Sequence, residues 1–140
     1  MSEAIRNQQK RGQPLRNIGI KDITVNYKQP PSAIVSIMHR ISGFLLFLSL
    51  PFLLYLFQES LRSEISFAHF AGVVGHPLIK IVILALSWAY LHHFVAGLRH
   101  LVMDNHIALD REASQKTARW VLMIVVALTV LVALKLFGVF

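Results

Sequence analysis

Three apolar stretches, running from about Pro31 to Phe57, Pro77 to Met103 and Trp120 to Phe140, constrain this chain more than any other feature. Each has the ~20 residues that carry a helix across a ~30 Å hydrocarbon core. In that solvent every backbone N–H and C=O must be paired within the protein, which restricts a spanning chain to helices or a closed barrel. Stretches this long and continuous are helical in pattern. The expectation is therefore an all-α integral membrane protein with three transmembrane helices. The apolar share of 55% against a charged share of 15% in 140 residues supports it, since a water-soluble domain of this size would struggle to keep that much apolar surface covered.

The polar parts organise the rest. Residues 1–30 form an N-terminal tail that lacks the apolar core of a cleaved signal, so the first helix is expected to be the membrane-targeting element. The tail itself is expected to be irregular or partly helical. The connection from Gln58 to His76 is mixed in character, closes on Gly72, Gly75 and Pro77, and suits the membrane interface. The second connection, Asp104 to Arg119, is polar. Lysines and arginines concentrate on one side: Arg6, Lys10, Arg11, Arg16, Lys21 and Lys28 in the tail, with Arg111, Lys116 and Arg119 in the second connection. By the positive-inside rule the tail and second connection face the cytoplasm and the C terminus faces the opposite side.

The formal charge of +7 is thus accounted for by topology. The basic residues are spread over a tail and loops with few aromatics interleaved for base stacking, so nucleic acid is not an expected partner. The chain has no cysteine, which excludes disulfides and thiolate-held zinc or iron–sulfur clusters within it. A redox group in this chain must be held by histidine.

Ionisable groups inside a membrane are costly and point to function. In the first helix Ser36, His39, Arg40 and Gly43 fall at i, i+3, i+4 and i+7; in the second, His93, Gly97, His100 and Asp104 fall at i, i+4, i+7 and i+11. Helical geometry places each set on one stripe. Both stripes belong at the cytoplasmic end of the bilayer, where they can face one cavity. Structural readings stand beside the functional ones: Arg40 and Arg99 as side chains snorkelling to the headgroups, Ser36 bonded back to its own helix, Gly43 and Gly97 as helix-packing contacts, Asp104 as a cap or a partner for Arg99 or Lys116. His69, His76 and His106 are expected in solvated connections, Trp120 as an interfacial anchor, Trp88 and Tyr90 as packing residues, and Pro51 as a kink.

Histidine stripes suit haem iron, and two imidazoles make a six-coordinate, electron-transferring haem. Its propionates need cations or donors at the bilayer edge, where Arg40, Arg99, His39 and His100 stand. A quinone needs hydrogen-bond donors to its carbonyl oxygens, which Ser36 and Arg40 supply. A haem-free anchor whose polar stripes only pair with a neighbouring subunit remains open, as does a cytochrome that takes both ligands, His39 and His93, from this one chain.

The run Ser36-Ile-Met-His-Arg-Ile-Ser-Gly43, followed by His93-xxx-Gly97-x-Arg99-His100-Leu-xx-Asp104, resembles the cytochrome b membrane-anchor subunit of bacterial succinate dehydrogenase, respiratory complex II. The two motifs stand in order on the first two of three helices, and the layout covers nearly the whole chain. The resemblance implies a bacterial cytoplasmic membrane protein, non-catalytic alone, that packs in a helical bundle with a second small anchor subunit. Together these hold an iron–sulfur subunit and a flavoprotein subunit. Electrons from succinate then pass through FAD and iron–sulfur clusters in those subunits to a quinone. It further implies haem b shared with the second anchor subunit, with His93 as this chain's axial ligand and His39 beside the propionates, and a quinone site lined by Ser36 and Arg40. The four-residue spacing to Gly97 selects His93 over its neighbour His92, because one residue turns a helix by about 100°. The anchor of a quinol:fumarate reductase shares the same general layout.

Overall fold

The computed structural model describes Glu3 and residues 29–139. Expectations for the N-terminal tail, including its six basic residues, lie outside the described residues. Over residues 29–139 four helices follow one another: α1 (Pro31–Arg62), α2 (Glu64–Gly75), α3 (Pro77–Asp104) and α4 (Arg111–Leu136). Three of them, α1, α3 and α4, are long and apolar enough to cross a membrane, so the all-α expectation holds, and this is a multi-pass membrane protein.

The helix starts are written in local chemistry. Pro31 opens α1 at a position where a missing N–H costs nothing, and Pro77 does the same for α3, whose preceding His76 accepts the Leu78 N–H on Nδ1 at 3.3 Å. Asp110 caps α4 by accepting the Ala113 N–H at 2.9 Å, with Glu112 in the first turn where the helix dipole favours negative charge. That cap explains the main departure from expectation. Helix α4 begins at Arg111 rather than Trp120, so Arg111, Lys116 and Arg119 ride on its polar first turns instead of a loop. Hydropathy marks where a helix turns apolar, whereas backbone hydrogen bonding begins at the cap.

The first connection, of mixed character in the sequence, is helical for most of its length. Helix α1 continues to Arg62, and after one extended residue, Ser63, the chain turns into α2. Ser63 caps α2 by accepting the Ser66 N–H at 3.1 Å, and the Ser66 hydroxyl donates to the Glu59 carbonyl at the end of α1. Helix α1 runs through Pro51 as a single element.

Helix α3 packs against both α1 and α4, and α1 also touches α4. The buried core is made of small side chains: Val35, Ala96, Ala118, Val121 and Val125, flanked by Trp88, Val95 and Leu122. Lipid is as apolar as a leucine side chain, so these helices gain little from hiding bulk. Close backbone approach through alanine and valine supplies the packing instead.

Candidate functional site

At the crossing of α1 and α3 the two motifs meet. The rings of His39 and His93 stack with centroids 4.1 Å apart and planes 4° apart. His100, two turns along α3 from His93, places its ring 5.0 Å from that of His39 at a tilt of 55°. Three of the four histidines on the stripes and their edge thus form one cluster, half-buried on the flank of the bundle.

His93 is held from one side by α1. Its Nδ1 lies 3.1 Å from the His39 carbonyl oxygen and 3.5 Å from Ser42 Oγ. The Ser42 hydroxyl spends its proton on the same carbonyl, 2.9 Å away, so it turns a lone pair toward the ring. Both groups facing Nδ1 are therefore acceptors. That assigns the ring proton to Nδ1 and leaves the lone pair on Nε2. A histidine whose second nitrogen donates to a backbone carbonyl is the usual form of an axial or metal ligand.

Glycine makes room for this arrangement. A methyl group built on Gly43 would lie 2.7 Å from His93 Cε1 and 3.1 Å from Nδ1, whereas one on Gly97 would sit 3.5 Å from His39 Nε2, an ordinary contact. The two glycines are thus reciprocal, each opposite the other helix's histidine, but only Gly43 leaves no room for a methyl with the facing ring where it stands.

His92 lies one residue round the helix and has a different environment. It is fully buried beside Trp88, whose ring centroid is 5.6 Å away, and it adjoins the Val35 backbone. Neither ring nitrogen finds a hydrogen-bond partner of acceptable geometry among the described residues. The buried stripe of α3, made of Ala89, His92, Ala96 and Arg99, is therefore the stripe adjacent to the one carrying His93, Gly97 and His100.

Arg99 belongs to that inner stripe. Only 7% exposed, it does not snorkel; Nε donates to Thr117 Oγ1 at 3.1 Å, and Nη2 to both the carbonyl and the hydroxyl of Ser114 at 3.0 Å. The guanidinium thus ties α3 to α4. Arg40 is exposed, next to His39 in sequence, and Ser36 is half-buried one turn earlier. No back-bond from the Ser36 hydroxyl and no ion pair of Arg40 occurs among the described residues. Asp104 is exposed at the end of α3 and pairs with neither Arg99 nor Lys116.

Sequence reasoning passed over Ser42, Ser114 and Thr117. Ser42 was visible as part of the first motif, but a serine in a membrane helix reads as back-bonded to its own turn, as Ser49 is to Leu46 at 2.9 Å. Nothing in the spacing marks Ser114 and Thr117, because their partner is set by how α4 docks.

Among the described residues no group of three or more histidine or acidic side chains could hold a bare metal ion. The donor set fits a group that brings its own equatorial ligands and asks for one imidazole. It does not fit a haem gripped by His39 and His93 together: axial ligands point at the iron from opposite sides, whereas these two rings lie face to face. Further along the helices from the Pro31 end, a cleft of about 500 Å³ opens among Leu46, Leu53, Ile83, Leu86, Ser87, Tyr90, Leu91 and Val132.

Residues 16–132 match the family described as succinate dehydrogenase/fumarate reductase transmembrane subunit. The chain is 46% identical over 76 residues to a succinate dehydrogenase cytochrome b556 subunit of Coxiella burnetii, covering 54% of this chain and 61% of that protein. It is 32% identical over 111 residues to the protein of the same name in Paracoccus denitrificans, covering 79% of this chain and 85% of that one. A similar likeness, 30% over 105 residues, extends to the counterpart in Rickettsia felis, covering 75% and 82%.

Proposed function

The chain belongs to the succinate dehydrogenase/fumarate reductase transmembrane subunit family, and on that premise we propose that it is the haem b- and quinone-binding membrane anchor of a bacterial succinate dehydrogenase. It would work beside a second small anchor subunit, an iron–sulfur subunit and a flavoprotein subunit, the last two carrying the iron–sulfur clusters and FAD. The observation that carries the reading is the His93 imidazole, anchored through Nδ1 on the His39 carbonyl at 3.1 Å and half-buried at an open flank where a second subunit can complete the coordination.

His93 Nε2 would hold the haem iron. Haem b, when bound, supplies a one-electron carrier within the membrane. His39 and His100 stand in the same cluster and offer ring donors to its propionates, and Arg40 adds a cation from the exposed side of α1. Arg99 acts from behind, since its bonds to Ser114 and Thr117 hold the ligand-bearing helix in place; a direct bond to a propionate would compete with them. The apolar cleft beyond the cluster suits the hydrocarbon body of a macrocycle better than its acidic edge.

Ser36 and Arg40 form the quinone end. A hydroxyl left without a helix partner is free to donate to a quinone carbonyl. Arg40 stabilises negative charge as electrons arrive on the quinone oxygens, an effect strongest where water is scarce. The chain's basic residues support a location in the cytoplasmic membrane with the N terminus inside and the C terminus outside.

The test is a reduced-minus-oxidised visible spectrum of the purified complex. The native complex should show low-spin haem b, His93→Tyr should lose it, and His92→Tyr should keep it. Loss with His92→Tyr alone would move the iron to the buried stripe. A native complex without haem would leave a purely structural anchor.

A further inference from the structure

Resting on that reading, we infer that Gly43 is the positioning residue for the His93 imidazole, the place on α1 where the absence of a side chain seats the ring that faces the iron. Three observations converge. A Cβ at Gly43 would approach His93 Cε1 to 2.7 Å, closer than real Cβ atoms come, and Nδ1 to 3.1 Å, tighter than most of them. The ring cannot swing away cheaply, because Nδ1 is bonded to the His39 carbonyl one turn earlier on the same helix and faces Ser42 Oγ. On its other side it lies against the His39 ring at 4.1 Å.

The ring is thus confined between a backbone carbonyl, a glycine and a parallel imidazole. Space at Gly43 and the proton on Nδ1 together fix both the plane of the ring and the nitrogen left for the metal. A methyl group at Gly43 would break one of the two: either the ring tilts, changing the axial plane, or α1 and α3 separate and the carbonyl contact is lost. Gly97, which the motif spacing puts forward as the close-approach glycine, tolerates a methyl because its nearest neighbour, His39 Nε2, lies at 3.5 Å.

The experiment compares Gly43→Ala and Gly97→Ala in the assembled complex by optical and low-spin ferric EPR spectra, the latter being sensitive to the relative orientation of the axial ring planes. Gly43→Ala should lose most of the low-spin haem or shift its EPR signal, and Gly97→Ala should keep both. A native-like spectrum in Gly43→Ala, or equal loss in the two variants, would overturn the assignment. Because Gly43→Ala could disturb assembly, thermal midpoints are measured as well, with and without His93→Ala. Once the ring is removed the added methyl has space, so the destabilisation by Gly43→Ala should largely disappear; equal destabilisation in both backgrounds would refute the contact itself. This second measurement needs no haem, so a native complex that lacks haem would sink the proposed function while leaving the contact independently measured.

Discussion

The His39 and His93 rings lie parallel, 4.1 Å apart, while the His39 carbonyl bonds His93 Nδ1 at 3.1 Å. One residue of α1 therefore touches the other twice, through its ring and through its backbone, and the two contacts are separable by mutation.

Replacing His39 with phenylalanine keeps the carbonyl and a flat ring. The low-spin haem spectrum should survive, with haem held more loosely for want of one propionate donor and a protein-stability change within the ~0.5–1.5 kcal/mol that aromatic pairs contribute. Complete loss of the spectrum in His39→Phe would show that an imidazole nitrogen of His39, and not its backbone, is what the site requires.

Arg40→Leu removes a cation that has no ion pair among the described residues. Quinone reduction should fall to background while succinate oxidation with a soluble artificial acceptor is largely retained. Parallel loss of both activities would mark Arg40 as an assembly residue.

Arg99→Leu deletes the bonds from α3 to Ser114 and Thr117. Hydrogen bonds of charged donors contribute ~1.5–3 kcal/mol each, less whatever the buried charge costs to desolvate. The thermal midpoint of the purified complex should drop, and Thr117→Val, which leaves the charged Nε–H without its acceptor and keeps the rest, should cost ~1.5–3 kcal/mol. An unchanged midpoint in Arg99→Leu would mean that desolvation cancels the bonds.

Asp110→Ala strips the cap from α4, whose Oδ2 accepts the Ala113 N–H. The expected cost is about 1 kcal/mol, concentrated in the first turn. Amide hydrogen exchange across residues 111–116 should accelerate, while exchange in the buried segment around Val121 and Val125 stays slow. Uniform acceleration along α4 would contradict a local capping role.

The apolar stretches fixed the number and order of the spanning helices, because hydrocarbon leaves a chain almost no other backbone solution. The two motifs likewise put His39 and His93 forward by residue type and period, and the structure brings their rings together. Sequence placed Arg99 ambiguously, since a cation near a helix end reads as snorkelling whenever its neighbours on other helices are unknown. It also mistook the start of α4, as polar turns carry no hydropathy signal.

What the sequence by itself determined is a membrane-spanning, histidine-bearing helical chain with one polar end; solvent and helical period suffice for that. Only the tertiary structure decided which of two adjacent histidines is buried, which glycine is sterically required, and that Arg99 faces α4. Those depend on the rotation of each helix about its axis, and rotation is set by close contact between small residues of different helices, which no periodicity within one helix can specify.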